Sequence, residues 1–101
     1  MAYGLLIQHE AVIEAQYIFE SYEQIKTGLG FEFIELLEKC YACLETGAKF
    51  YSFIDTKKIY RRISLDRFPC MIVYEIEKFT VVVISIGFER EDPEKRKRFT
   101  K

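Results

Sequence analysis

The sequence predicts one α+β domain, in which an antiparallel helical hairpin covers one face of a three- to four-stranded antiparallel sheet. The chain has 101 residues, half of them apolar, which is enough for a single core across residues 1–101. The first half carries two segments with apolar residues at helical spacing, and the second half carries three runs rich in β-branched and aromatic residues. The helical apolar stripes can be buried only against the sheet.

The pattern of the first half predicts a strand followed by two helices. We expect a short strand at residues 3–8, a helix from Glu10 to about Lys26 and a second helix over residues 31–46. The segment 28–30 breaks the chain between them, and Gly47 is a plausible stop after the second helix. The apolar stripe of the first helix is Ala11, Ala15, Ile18, Tyr22 and Ile25; that of the second is Phe33, Leu37, Cys40 or Tyr41, and Leu44.

The second half reads as three consecutive antiparallel strands and a charged end. The strands are expected at Ile59–Leu65, Pro69–Glu77 and Thr80–Phe88, with a corner at residues 67–69 and a tight hairpin at residues 77–79. Residues 91–101 are nearly all charged and predict a tail or a short helix. Ala15, Ile18, Tyr22, Leu37 and Leu44 are expected to pack against Ile72, Tyr74, Val82 or Ile84, with Phe68 as a further packing residue.

Charge is balanced overall but divided unevenly along the chain. There are 15 basic and 16 acidic residues in total. Residues 1–46 hold two basic and eight acidic side chains, whereas residues 47–101 hold thirteen basic and eight acidic ones. The second half is therefore the expected site of contact with an anion or an acidic partner. A sequence pI near 5.9 argues against nonspecific nucleic-acid binding.

Several classes of site and location are not expected. The chain has no apolar run of about 18 residues and no basic-flanked leader, so we expect a cytoplasmic protein without a membrane contact. The pair Cys40 and Cys43 has CxxC spacing, but it falls in mid-helix, where packing is favoured over a redox or metal role. No phosphate-binding or dinucleotide motif occurs, and neither a cofactor nor a metal is expected.

One segment, read with its surroundings, resembles a known family. The run from Tyr60 to Tyr74 combines an arginine-containing strand, the Phe68-Pro69 corner and an Ile-x-Tyr strand. Residues 82–86 followed by residues 90–95 are similar to the last strand and turn of that family, and residues 14–15 and 28–33 to its helical hairpin. This ordered set resembles the RelE/ParE toxin superfamily, in particular the ParE-like plasmid stabilisation proteins. The resemblance implies a toxin of a type II toxin–antitoxin system, which inhibits growth and binds a cognate antitoxin.

The resemblance leaves three mechanisms open. A ParE-like toxin would act by binding a target such as DNA gyrase, and a RelE-like one would be a ribosome-dependent mRNA endonuclease. A degenerate toxin would keep only the fold and antitoxin binding. Metal-free RNA cleavage needs a group that transfers protons near neutral pH. The single histidine, His9, is expected at the end of the first strand or the start of the first helix. We therefore favour the gyrase-type binder and leave open whether the protein is an enzyme.

The candidate site residues are the cations of the second half and one tyrosine. The resemblance implies Lys57, Lys58, Tyr60, Arg62 and Arg90 as catalytic candidates for a nuclease. It implies contacts to the target or the antitoxin from Arg61, Arg62, Arg67, Arg90, Lys95, Arg96, Lys97 and Arg98. An acidic antitoxin segment is expected to cover the 57–62 and 90–98 surface.

Arg61 and Arg62 are neighbours on a strand, so their side chains are expected on opposite faces of the sheet. Arg61 shares its parity with Ile63 and Leu65, which places it toward the helices, where we expect it to pair with a helix carboxylate. Arg62 shares the other face with Tyr60 and Ser64. Arg62 is therefore the more accessible of the two for a binding or catalytic role.

Overall fold

A computed structural model describes residues 3–54 and 56–88 of the chain, and within these ranges the elements follow the predicted order. They are strand β1 (Gly4–Ile7), helix α1 (His9–Ile25), helix α2 (Leu29–Gly47), a 3₁₀ helix (Ala48–Phe50) and strands β2 (Tyr60–Ser64), β3 (Cys70–Glu77) and β4 (Thr80–Phe88). The charged end predicted at 91–101 lies outside the described residues. No helix in the described ranges is long and apolar enough to span a bilayer.

The four strands form one sheet in the order β1-β4-β3-β2. Strands β2, β3 and β4 are consecutive antiparallel neighbours, as predicted. Strand β1 instead pairs with β4 in parallel, from Gly4 opposite Thr80 to Ile7 opposite Val83, so the sheet is mixed where the sequence predicted an antiparallel one. Parallel neighbours need a long crossover, which the intervening helices and strands supply. The alternation of side chains along β1 carries no information about strand direction.

A three-residue connection joins the two helices. Gly28 is the N-cap residue of α2 and has a φ of 91°. The Glu23 carboxylate accepts hydrogen bonds from the Gly28 N–H at 3.0 and 3.1 Å and from the Gly30 N–H at 2.9 Å. The carboxylate thus satisfies main-chain donors at the helix N-terminus. Gly30 was expected in the break, but it lies in the first turn of α2. Ile25, expected in the buried stripe, is 73% exposed because α1 ends there.

The core lies between the hairpin and the sheet. Ile18, Leu37, Leu44, Phe68, Ile72 and Tyr74 are buried in it, and Ala15 and Tyr22 pack against it partly buried, all as predicted. From β4 the residues that face the helices are Val81, Val83 and Ile86. Val82 and Ile84 were expected there, and both assignments are wrong. Every residue from 81 to 84 is apolar, so alternation cannot choose the buried face.

A β-bulge in β4 determines which of its residues face the helices. The register shifts between Val73, opposite Ser85, and Tyr74, opposite Val83, which leaves Ile84 as the extra residue. The Glu14 carboxylate of α1 accepts hydrogen bonds there from the Ser85 hydroxyl at 2.9 Å and the Ile86 N–H at 3.3 Å. The bulge therefore docks α1 onto the sheet. The opposite face of the sheet has its own apolar cluster of Tyr60, Met71 and Val73, with Ile84 packed against it.

Candidate functional site

Five of the predicted site residues lie on β2 and in the loop that precedes it. Lys57 and Lys58 are exposed in that loop, and Lys58 has a left-handed φ of 57°. Tyr60 opens β2 on the face away from the helices, where it is only 6% exposed and packs with Met71 and Val73. The phenol of Tyr60 is therefore part of a packed cluster rather than a group presented to solvent.

Arg61 and Arg62 point to opposite faces of the sheet, as the alternation predicted. Arg62 is exposed and stands opposite Val73 of the outer cluster, whereas Arg61 stands opposite the buried Tyr74 on the helix side. Arg62 is therefore the cation of β2 that faces outward, on the same face as Tyr60. Glu75, which lies opposite both Tyr60 and Val82, adds a half-buried carboxylate to that face that the sequence analysis did not single out.

Arg61 is bound to main-chain carbonyls and not to a helix carboxylate, which corrects the predicted ion pair. Its Nη1 donates to the carbonyl of Lys49 at 3.0 Å and to that of Tyr51 at 2.7 Å. The 3₁₀ helix after α2 brings these carbonyls to the edge of the sheet, so they satisfy the guanidinium without a second charge. Burial raises the pKa of the neighbouring Tyr74, and the charge of Arg61 offsets only part of that rise.

The same arginine holds the loop that covers the edge of β2. The guanidinium of Arg61 lies over the ring of Phe53, 3.9 Å from its centroid. The main chain of residues 52–54 pairs with β2 through two hydrogen bonds, from the Arg62 N–H to the Ser52 carbonyl and from the Ile54 N–H to the Tyr60 carbonyl. This edge of the sheet is thus closed by the chain itself. Arg61, on β2, therefore binds the loop to the edge of the sheet.

Arg67 lies away from these residues, at the corner between β2 and β3. It has a left-handed φ of 73°, and its Nη2 donates to the Glu32 carboxylate of α2 at 3.1 Å. Both side chains are substantially exposed, so the pair contributes at most about 1 kcal/mol to stability. The remaining predicted cations, Arg90, Lys95, Arg96, Lys97 and Arg98, lie outside the described residues.

Groups for proton transfer are scarce around the outward cations. His9 is the exposed first residue of α1, on the side of the sheet that carries the helices. Burial raises the pKa of Tyr22, Tyr41 and Tyr51, which takes these phenols further from neutrality. The described residues on the outward face of β2 and its preceding loop therefore supply exposed cations but no histidine to move a proton.

Of the CxxC pair, Cys40 packs against the core. Cys40 is half-buried and Cys43 exposed on α2, and both thiols are free. Burial raises the pKa of the Cys40 thiol, with smaller contributions from Cys43 and Asp66, whereas a reactive cysteine needs a lowered one. Within residues 3–54 and 56–88, no three His, Cys, Asp or Glu side chains come together as a metal site.

The most exposed aromatic before β2 was not among the residues expected from the sequence. Phe50 ends the 3₁₀ helix and is 88% exposed. Its neighbours along the chain are Lys49 and Tyr51, whose carbonyls Arg61 binds. Helical and strand periodicities assign no face to a residue in such a turn, so the only available signal was an aromatic residue beside a lysine.

The fold is shared with toxins of known structure. A chain of the chromosomal ParDE toxin–antitoxin system from P. aeruginosa superposes with a TM-score of 0.76 over 86% of this chain and 96% of that one, at 12% sequence identity. An arginine double mutant of the E. coli RelE toxin in the free state superposes with a TM-score of 0.61 at 18% identity, over 89% of this chain and 86% of that one. The same mutant in complex with a peptide of the RelB antitoxin superposes with a TM-score of 0.59 at 23% identity, over 100% of this chain and 97% of that one.

These likenesses define the class of fold. The chain has the RelE/ParE toxin fold, which confirms the fold expected from the Tyr60–Tyr74 segment and its surroundings. No protein-family model and no curated protein sequence matches the chain.

Proposed function

We propose that this protein is the toxin of a type II toxin–antitoxin system, and that it inhibits growth by binding a target protein of the DNA gyrase type. The observation that carries the proposal is the fold likeness, which extends over 86% of this chain and is greater to the ParDE chain than to RelE. A cognate antitoxin neutralises the toxin. Its acidic segment covers the basic surface at 57–62 together with the predicted cations at 90–98.

The outward face of β2 supports binding over catalysis. Arg62 is exposed there and offers a fixed planar cation for a carboxylate or phosphate. Tyr60, the phenol nearest along the strand, is packed among apolar side chains, and His9 lies at the start of α1. A metal-free ribonuclease needs a base and an acid on the reacting face, in addition to cations. Arg62 and the two loop lysines supply only the cations.

The nuclease remains the second candidate, because the solved RelE structures share the fold and Tyr60 and Arg62 lie on one face of the sheet. In that case Lys57, Lys58 and Arg62, together with Arg90, would neutralise the developing phosphorane charge. The two functions differ in the first process that stops when the protein is expressed.

The deciding experiment is induction of the chain without its antitoxin, with DNA damage and protein synthesis followed in parallel. A gyrase-type toxin induces the DNA damage response and filamentation while translation continues at first, and the purified protein inhibits gyrase supercoiling. Early translational arrest with mRNA cut at codon positions would identify the nuclease. If well-folded protein had no effect on growth, the result would favour the degenerate toxin, which keeps only the fold and antitoxin binding.

Charge-reversal variants connect the effect to the surface. Arg62→Glu is expected to abolish gyrase inhibition without loss of the fold, because Arg62 is exposed. Lys39→Glu on α2 is the matched control, since it reverses a cation that is also exposed but lies away from β2. Truncation after Phe88 is expected to abolish toxicity as well. Equal inhibition by the Arg62→Glu and parent proteins would remove β2 from the contact surface.

A further inference from the structure

The turn after α2 presents an aromatic ring to solvent in a defined position. Phe50 is 88% exposed, the largest exposed fraction among the described large hydrophobic residues. Its ring lies against Gly47, since a Cβ added to Gly47 would stand 3.2 Å from Cδ2 of Phe50. The absence of a side chain at position 47 therefore makes room for this ring position.

Four interactions fix the main chain around Phe50. The buried Tyr74 hydroxyl donates to the carbonyl of Ala48 at 2.7 Å, and Arg61 donates to the carbonyls on either side of Phe50 at 3.0 and 2.7 Å. The guanidinium also stacks on Phe53. An aromatic side chain on a fixed main chain loses little conformational entropy when a partner covers it. Such residues are typical anchors of protein interfaces.

Further apolar side chains continue from Phe50 toward β2. Phe53, Ile54 and Ile59 are each partly exposed, and Lys57 and Lys58 are exposed between them. We call the exposed side chains of residues 49–54 and 56–59 the Phe50 surface. Arg61 connects the 3₁₀ helix to the Phe53 ring within this surface, because it contacts both.

The charge of this part of the chain indicates the partner. Residues 49–59 contain three basic side chains and one acidic one, and Arg61 and Arg62 follow on β2, whereas residues 1–46 have an excess of six acidic side chains. A surface that combines cations with an exposed aromatic and two isoleucines is complementary to a segment in which carboxylates alternate with apolar side chains.

We propose that the Phe50 surface binds an acidic amphipathic segment of a partner protein, with Phe50 as the anchor between the partner's apolar side chains. A single-stranded RNA fits less well. One face of the Phe53 ring is occupied by the Arg61 guanidinium, Tyr51 is half-buried, and Ile54 and Ile59 are aliphatic. Phe50 is therefore the main stacking platform among the described residues of this surface. This assignment rests on the proposed function for its acidic partner and deepens it by naming Phe50 as the anchor. Its test needs no growth effect.

The test is a selection of peptides from a displayed random library on the purified chain. The proposal expects enriched peptides with several Asp or Glu residues interspersed with Leu, Ile or Phe. The affinity of a labelled synthetic copy is then measured by fluorescence anisotropy against the chain and its variants. A labelled uridine oligonucleotide is titrated in parallel as the nucleic-acid probe.

Two matched alanine variants decide the result. Phe50→Ala is expected to weaken peptide binding by about tenfold or more. Phe79→Ala, in the β3–β4 turn and 64% exposed, is expected to change it less than about twofold. Circular dichroism confirms the fold of both, which is expected because both rings lie in solvent. Reversing Lys57 and Lys58 together to glutamate is also expected to weaken binding.

Other outcomes overturn the proposal. Failure to enrich any peptide, enrichment of basic peptides, or equal binding by Phe50→Ala and the parent would each remove it. Phe50-dependent binding of the uridine oligonucleotide that displaces the peptide would assign the surface to RNA instead. A growth-inhibition experiment with any result leaves this measurement unaffected.

Discussion

Replacing Gly30 by alanine tests how closely the two helices approach each other. A Cβ at position 30 would lie 2.6 Å from the Phe19 carbonyl oxygen, and 2.8 Å from both Cδ1 of Phe19 and Cγ of Glu23. The nearest atom belongs to the main chain, so the helices themselves have to move apart. The Glu23 carboxylate that caps α2 is displaced in the same movement.

The expected cost follows from two opposing effects. Overpacking costs about 1–3 kcal/mol, and we take the upper figure because a main-chain atom is contacted. Alanine favours the helical conformation over glycine by about 1 kcal/mol. The net loss in unfolding free energy is therefore about 2 kcal/mol, which corresponds to a fall of about 10 °C in Tm for a domain of this size.

Urea and thermal unfolding followed by far-UV circular dichroism measure this loss. Gly4→Ala is the matched control, since its nearest contact would be Thr80 Oγ1 at an ordinary 3.5 Å, and its stability is expected to change by less than about 0.5 kcal/mol. A Gly30→Ala protein as stable as the parent would show that the hairpin is looser than described. A more stable one would show that helix propensity outweighs packing at this position.

Three further predictions concern the core. Tyr74→Phe leaves the Ala48 carbonyl without its 2.7 Å hydrogen bond, which is expected to lower the unfolding free energy by about 1–3 kcal/mol in urea titrations; an unchanged midpoint would contradict this. Leu37→Ala is expected to cost about 2–5 kcal/mol in the same assay, because the side chain is buried, and a cost below about 1 kcal/mol would place it outside the core. Burial raises the pKa of Tyr41 to about 12, so the folded state holds this proton more tightly than the unfolded state, whose pKa is about 10. The stabilisation is complete below about pH 10 and is lost as pH rises through 12, and Tyr41→Phe is expected to flatten that fall in pH-dependent urea titrations.

The kinds of element and their order were predictable from local patterns in the sequence. Helical spacing located both helices to within about two residues, since the apolar stripe of an amphipathic helix repeats every 3.6 residues over several turns. The three β-rich runs gave β2, β3 and β4, and adjacent-residue parity separated Arg61 from Arg62. The Tyr60–Tyr74 segment indicated the family whose fold the chain has. These signals are local, so they can be recognised in the sequence without knowledge of the tertiary contacts.

Features that depend on contacts between residues distant along the chain could be known only from the tertiary structure. No local pattern encodes the parallel pairing of β1 with β4 or the bulge at Ile84. The same holds for which residues of β4 face the helices, because that depends on the bulge. The partner of Arg61 was mispredicted because an arginine can be satisfied by carbonyls as well as by a carboxylate, and only folding brings the Lys49 and Tyr51 carbonyls to it. The exposure of Phe50 has the same origin, since α2, β2 and β3 together fix the turn that carries it.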